Sequence, residues 1–195
     1  MGEQNIVSGS KMAWSIIGWA IVFGIVFSIA YSLVYSLLTS DIESLTIALI
    51  ISFVLQAISA YFLWKVSISV AFKNKTISYS DTSIVIRGIF IYTVVILLFY
   101  SISTILETND KLEELSDSTF AFYDSYAESY LSDSEFISYQ QQRQDIINEV
   151  KSELNGFLAV LIIGNCIIYI VMAFVAKKMV LKHVQAQPRN DVIIQ

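Results

Sequence analysis

Four stretches of this chain are apolar, free of proline and long enough to cross a bilayer, and they constrain the fold more than any other feature. A helix needs about 20 residues to cross a hydrocarbon core of roughly 30 Å. The first run extends from Met12 to Leu38 without a charge. The second covers Leu45 to Trp64, with a possible helical extension to Phe72. The third covers Ile84 to Leu106, with Arg87 near its start, and the fourth covers Leu154 to Ala176 without a charge. None alternates as a strand would. A backbone that faces lipid must satisfy its hydrogen bonds within its own segment, so the runs are expected to be helices. The predicted fold is all-α: a polytopic membrane protein with transmembrane helices at 12–38, 45–64, 84–106 and 154–176.

Composition agrees with that reading. Hydrophobic residues make up 55% of the 195 and charged residues 15%, with a mean hydropathy of +0.63. Soluble domains hold about 25% charged residues, so an ordinary water-soluble enzyme is disfavoured. The first run is too long for a signal-peptide core of about 7–15 residues, and only Lys11 stands against Glu3 before it. It is expected to remain as an uncleaved anchor.

Charge sets the expected orientation, because basic residues gather on the cytoplasmic side. With both termini inside, the inner face carries Lys11, Lys65, Lys73, Lys75, Arg87, Lys177, Lys178, Lys182 and Arg189 against Glu3, Asp81 and Asp191. The outer face carries Lys111, Arg143 and Lys151 against Asp41, Glu43 and twelve acids from Glu107 to Glu153. Residues 177–195 read as a basic cytoplasmic tail. Its Lys177, Lys178 and Lys182 are candidates for contact with anionic lipid. Trp14, Trp19 and Trp64 fall near inner ends and Tyr31 and Tyr35 near an outer end, where rings favour the headgroup level.

Residues 107–153 form an acidic segment with helical periodicity. Phe120, Tyr123, Ala127 and Leu131 share a face, and Phe122, Tyr126 and Tyr130 continue beside it. Ser132 and Glu135 have capping-box spacing ahead of Phe136, Tyr139, Arg143, Ile146, Val150 and Leu154. The expected structure is an extracytoplasmic helical hairpin whose second arm continues into the fourth span. Phe120, Tyr123, Tyr126 and Tyr130 are the candidate partner surface; the alternative is that the arms pack these rings against each other. A calcium site has acids in plenty but no D-x-D-x-D-G loop, and the negative charge excludes nucleic acid as a partner.

Inside the spans the deep polar residues are Gln56 and Asn165, each about eleven residues from its outer helix end and hence at similar depth. They read either as an interhelical hydrogen bond, worth about 0.6–2 kcal/mol, or as a polar path. No ionisable group lies deep, which disfavours a proton- or ion-coupled carrier. Small residues recur at every fourth position: Ala20, Gly24, Ser28, Ser32 and Ser36 in the first span, and Ser44, Ala48, Ser52, Gln56 and Ala60 in the second. Such stripes let backbones approach closely, and they predict packing of the first helix on the second or on another copy.

The phosphate-loop, dinucleotide, zinc-protease, nucleophile-elbow and CxxC motifs are all missing. One cysteine (Cys166) and one histidine (His183) leave little for catalysis or metal binding, so no enzyme activity, cofactor or metal is expected. The single sequon, Asn74-Lys75-Thr76, falls on the inner side; together with a cysteine-free exterior it points to a bacterial plasma membrane. A tetraspanin-like layout of four spans and one large loop lacks that family's loop cysteines. The stretch Phe72-Lys73-Asn74-Lys75-Thr76-Ile77-Ser78-Tyr79, leading into Arg87-Gly88, resembles uncharacterised four-span bacterial membrane proteins over residues 72–182. That resemblance implies a fold and a bacterial origin, and no activity. The expected role is a non-enzymatic accessory, scaffold, sensor or immunity-type subunit. It would sit in the lipid bilayer and meet a protein partner or a homo-oligomer through the hairpin or buried faces. The alternative is a small oligomeric channel or transporter component with a path at Gln56 and Asn165.

Overall fold

The computed structural model describes residues 5–40, 42 and 44–186. Glu3, Asp41, Glu43, Pro188, Arg189 and Asp191 lie outside the described residues, as does the side chain of Phe122. Four helices dominate: α1 (Gly9–Thr39), α2 (Leu45–Ala71), α3 (Thr82–Tyr130) and α4 (Asp133–Gln185). Each is long and apolar enough to cross a membrane. A parallel pair of two-residue strands, β1 (Asn5–Ile6) and β2 (Lys75–Thr76), joins the N-terminal segment to the α2–α3 connection. The described residues divide into two compact units: one runs up to Leu97 and resumes at Gly164, and the other is Leu98–Ile163. Helices α3 and α4 contribute a stretch to both.

In the first unit the core gathers where α1 and α3 begin and α2 and α4 end. Met12, Ile16, Ala20, Trp64, Ile68, Phe72, Ile77, Val85, Ile89, Ala173, Ala176, Val180 and Val184 form one buried cluster. The same helix ends carry Lys11, Lys65, Lys73, Lys75, Arg87, Lys177, Lys178 and Lys182, so the bases share one end of the unit. Trp64, read from sequence as an interfacial ring, is instead a core residue, 2% exposed and edge-on to Tyr92. Trp14 and Trp19 are exposed.

Local chemistry closes this end. Asn74 takes φ 58°, a left-handed conformation that asparagine tolerates, and turns the chain from α2 into β2. The Val7 amide donates to the Thr76 carbonyl at 2.9 Å and extends the strand pair. The Gly9 amide, the first of α1, donates to the Asp81 carboxylate at 3.1 Å. A carboxylate there satisfies an orphan donor and suits the positive end of the helix dipole. A side chain at residue 9 would collide with Asp81, since a Cβ built there falls 2.6 Å from the Asp81 carbonyl oxygen. The segment read as a basic tail continues as helix to Gln185, because Val180 and Val184 carry on the spacing of Ala173 and Ala176 into the core.

In the second unit the α3 arm ends at Tyr130, Leu131 and Ser132 make the connection, and α4 starts at Asp133. The Ser132 amide donates to Glu135 Oε2 at 3.0 Å and the Ser132 hydroxyl to the same oxygen at 2.6 Å. This is the reaching-back half of a capping box, and the two bonds hold the Glu135 carboxyl below its ordinary pKa.

Candidate functional site

The hairpin arms are tied by one polar cluster near the turn. Tyr139 on α4 donates its hydroxyl to Asp124 Oδ1 on α3 at 2.6 Å. Arg143, one turn further on, reaches Asp124 Oδ2 at 3.3 Å and Asp117 at 4.0 Å. Its guanidinium lies over the Phe120 ring, 5.2 Å from the centroid. Three groups on α3 thus converge on two from α4. Loss of water around the hydroxyl, the bond to Asp124 and that residue's charge push Tyr139 up to about 12, against the pull of Arg143.

This geometry divides the aromatic stripe. Phe120 is half-buried, with the Arg143 guanidinium over its ring, so it offers less free surface than the tyrosines of the stripe. Tyr123, Tyr126 and Tyr130 are 58%, 53% and 75% exposed, and Tyr126 stacks on Tyr130 at 4.9 Å. The arms therefore do not pack these three rings away. Reading stripes alone put Arg143 on the second arm's helical stripe but missed Asp124 and the pairing of the two. The signal that could have found them was an arginine isolated among acids at a position facing the apolar side.

The small-residue stripes are placed unequally. On α2, Ser52 and Ala60 are buried and Ala48 and Gln56 half-buried, while Ser44 is exposed just before the helix. On α1, Ala20 is buried and Gly24 half-buried, but Ser28, Ser32 and Ser36 are exposed. The half-buried residues there are Phe27, Tyr31 and Tyr35. Each precedes one of the serines, and a single residue turns the helix by about 100°. Tyr31 ties that face to α2: its hydroxyl lies 2.8 Å from that of Ser52. Gln56 Nε2 donates to Ser52 Oγ at 3.4 Å, and Gln56 Oε1 is buried without a partner.

Asn165 is 1% exposed, and neither carboxamide atom has a hydrogen-bond partner among the described residues. Next to it Gly164 lets α4 meet α2, since a Cβ built there would lie 2.6 Å from Phe53 Cε1. Phe72 meets His183 with the same sequence offset, so α2 and α4 run parallel and in register. Gln56 and Asn165 then differ in level by about 3 Å, at 1.5 Å per residue. Cys166, next to Asn165 in the chain, is half-buried. Of the three lysines expected to meet anionic lipid, Lys178 and Lys182 are exposed and Lys177 is half-buried. Among the described residues no group of three or more His, Cys, Asp or Glu side chains is placed to hold a metal.

Comparison with protein-family models, with curated proteins and with solved structures finds no match.

Proposed function

We propose that this chain is a multi-pass protein of a bacterial plasma membrane, with both termini cytoplasmic, that acts without catalysis of its own as the docking subunit for a protein partner. The observation that carries the reading is the exposure of Tyr126 and Tyr130 at the end of a hairpin whose own fold is held by other residues. Tyrosine is enriched among the hot spots of protein interfaces. The surrounding segment, 107–153, holds twelve acids and three bases, so the partner presents a basic face with pockets for two rings.

Helix length supports an exterior placement. At 1.5 Å per residue the 53 residues of α4 measure about 80 Å, far more than a roughly 30 Å hydrocarbon core accommodates. The excess of α4 is its acidic start, and the excess of α3 is its acidic end. Bases at the opposite helix ends favour the cytoplasmic leaflet.

The test is affinity capture from native membranes in mild detergent, comparing the intact chain with a Tyr126→Ala/Tyr130→Ala variant. A stoichiometric partner is expected, lost from the variant and weakened by salt. A partner retained by the variant at all salt concentrations, or a homo-oligomer with no partner, overturns the reading.

A further inference from the structure

We infer that the Asn165 carboxamide holds a small uncharged molecule that both donates and accepts hydrogen bonds, inside the helix bundle of the first unit. Asn165 lies on the inward stripe of α4 with Tyr169, Met172 and Ala176, and its side chain is removed from solvent. An amide left unpaired in an apolar interior is destabilising, and buried polar groups in folded proteins are nearly always paired. A leucine has the same branched side-chain outline and carries no polar group that needs a partner. Two hydrogens and an oxygen at Asn165 therefore require a complement that no described side chain supplies.

Gln56 adds a second observation. Its Nε2 gives one hydrogen to Ser52, whose hydroxyl pairs with Tyr31, and its Oε1 is a buried acceptor without a partner. It stands on α2 within about 3 Å of the level of Asn165. One double donor and two acceptors at one depth match a molecule that gives two hydrogen bonds and takes at least one. Water has this chemistry, and so does a small primary amide. Charge is excluded. The chain has no acid from residue 44 through 80, from 82 through 106 or from 154 through 190, and the nearest bases in the spans are Lys65 and Arg87, toward the basic end. An ion at this depth would be stripped of water with no counter-charge. Ser67, also buried without a partner, carries less weight, because a helical serine satisfies itself by rotating onto a backbone carbonyl.

The inference is independent of whether the hairpin docks a partner. It is tested on the purified 195-residue chain in nanodiscs. Side-chain amide signals are assigned by their loss in Asn165→Leu, and their exchange is followed after transfer to deuterated water. Exchange of the Asn165 Nδ2 protons well ahead of the bundle's backbone amides is expected. So is an unfolding midpoint for Asn165→Leu about 2–4 °C below wild type. Acetamide serves as the solute probe. If it raises the wild-type midpoint and not that of Asn165→Leu, the ligand is a small polar solute; if it does nothing while exchange is fast, the ligand is water. Nδ2 protons as protected as the backbone, or a midpoint that stays level or rises in Asn165→Leu, overturn the inference. Should Asn165→Leu fail to fold, wild-type exchange decides, with assignment from Asn165→Gln.

Discussion

Replacing Gly164 by alanine is the sharpest test of how α2 and α4 meet. A Cβ at residue 164 would lie 2.6 Å from Phe53 Cε1 and 3.1 Å from Cε2, where ordinary contact begins at 3.4 Å. The ring atoms face it from two sides of the same edge, so rotating the ring does not clear the space. Either Phe53 leaves its position or the helices part by close to 1 Å. Overpacking of this kind costs about 1–3 kcal/mol. Alanine recovers about 1 kcal/mol of helix propensity, so the net loss is about 0–2 kcal/mol, and each kcal/mol shifts the midpoint by about 2–4 °C in a chain of this size. Gly156→Ala is the control, because nothing lies within 4 Å of its Cβ. The difference between the two variants removes the propensity gain and isolates the clash. Thermal unfolding followed by circular dichroism reads both. A third variant, Phe53→Leu, shortens the ring, and Gly164→Ala is expected to cost less in that background. Gly164→Ala as stable as Gly156→Ala, or equally costly with and without Phe53, would refute the helix contact.

Two further outcomes follow from the caps and the hairpin cluster. Tyr139→Phe removes the bond to Asp124 and is expected to cost about 0.5–1.5 kcal/mol, read as faster hydrogen exchange in residues 120–143. Because folding raises the Tyr139 pKa from 10.0 to about 12, its contribution is complete below pH 10.0 and fades as pH rises toward 12; tyrosinate absorbance of the wild type should contain one late-titrating ring that Tyr139→Phe lacks. Gly9→Ala drives a Cβ into the Asp81 backbone and should release the N-terminal segment, at about 1–3 kcal/mol, with loss of exchange protection at the Val7 amide that pairs with Thr76.

The parts of this protein legible in its sequence were those set by local chemistry. The four helices follow from apolar length and the lack of proline. The Ser132–Glu135 cap follows from spacing, and the shared depth of Gln56 and Asn165 follows from counting residues between helix ends. What stripes of small residues could not give was their direction. Ser28, Ser32 and Ser36 lie at the same period as Phe27, Tyr31 and Tyr35, one position round the helix, and it is burial and the Tyr31–Ser52 bond that pick the face turned to α2.

Sequence alone therefore determined the helices, because a backbone in lipid has few other ways to satisfy its own amides. It also determined the separation of charge, since bases and acids fall in different segments. Tertiary structure decided everything that depends on residues far apart in the chain. It put Trp64 into the core beside Tyr92 and drew Asp81 onto the first amide of α1. It covered Phe120 with Arg143 and left Tyr126 and Tyr130 outside. It also buried Asn165 with both amide atoms unpartnered. Periodicity says that a side chain has a face; only packing says what that face meets.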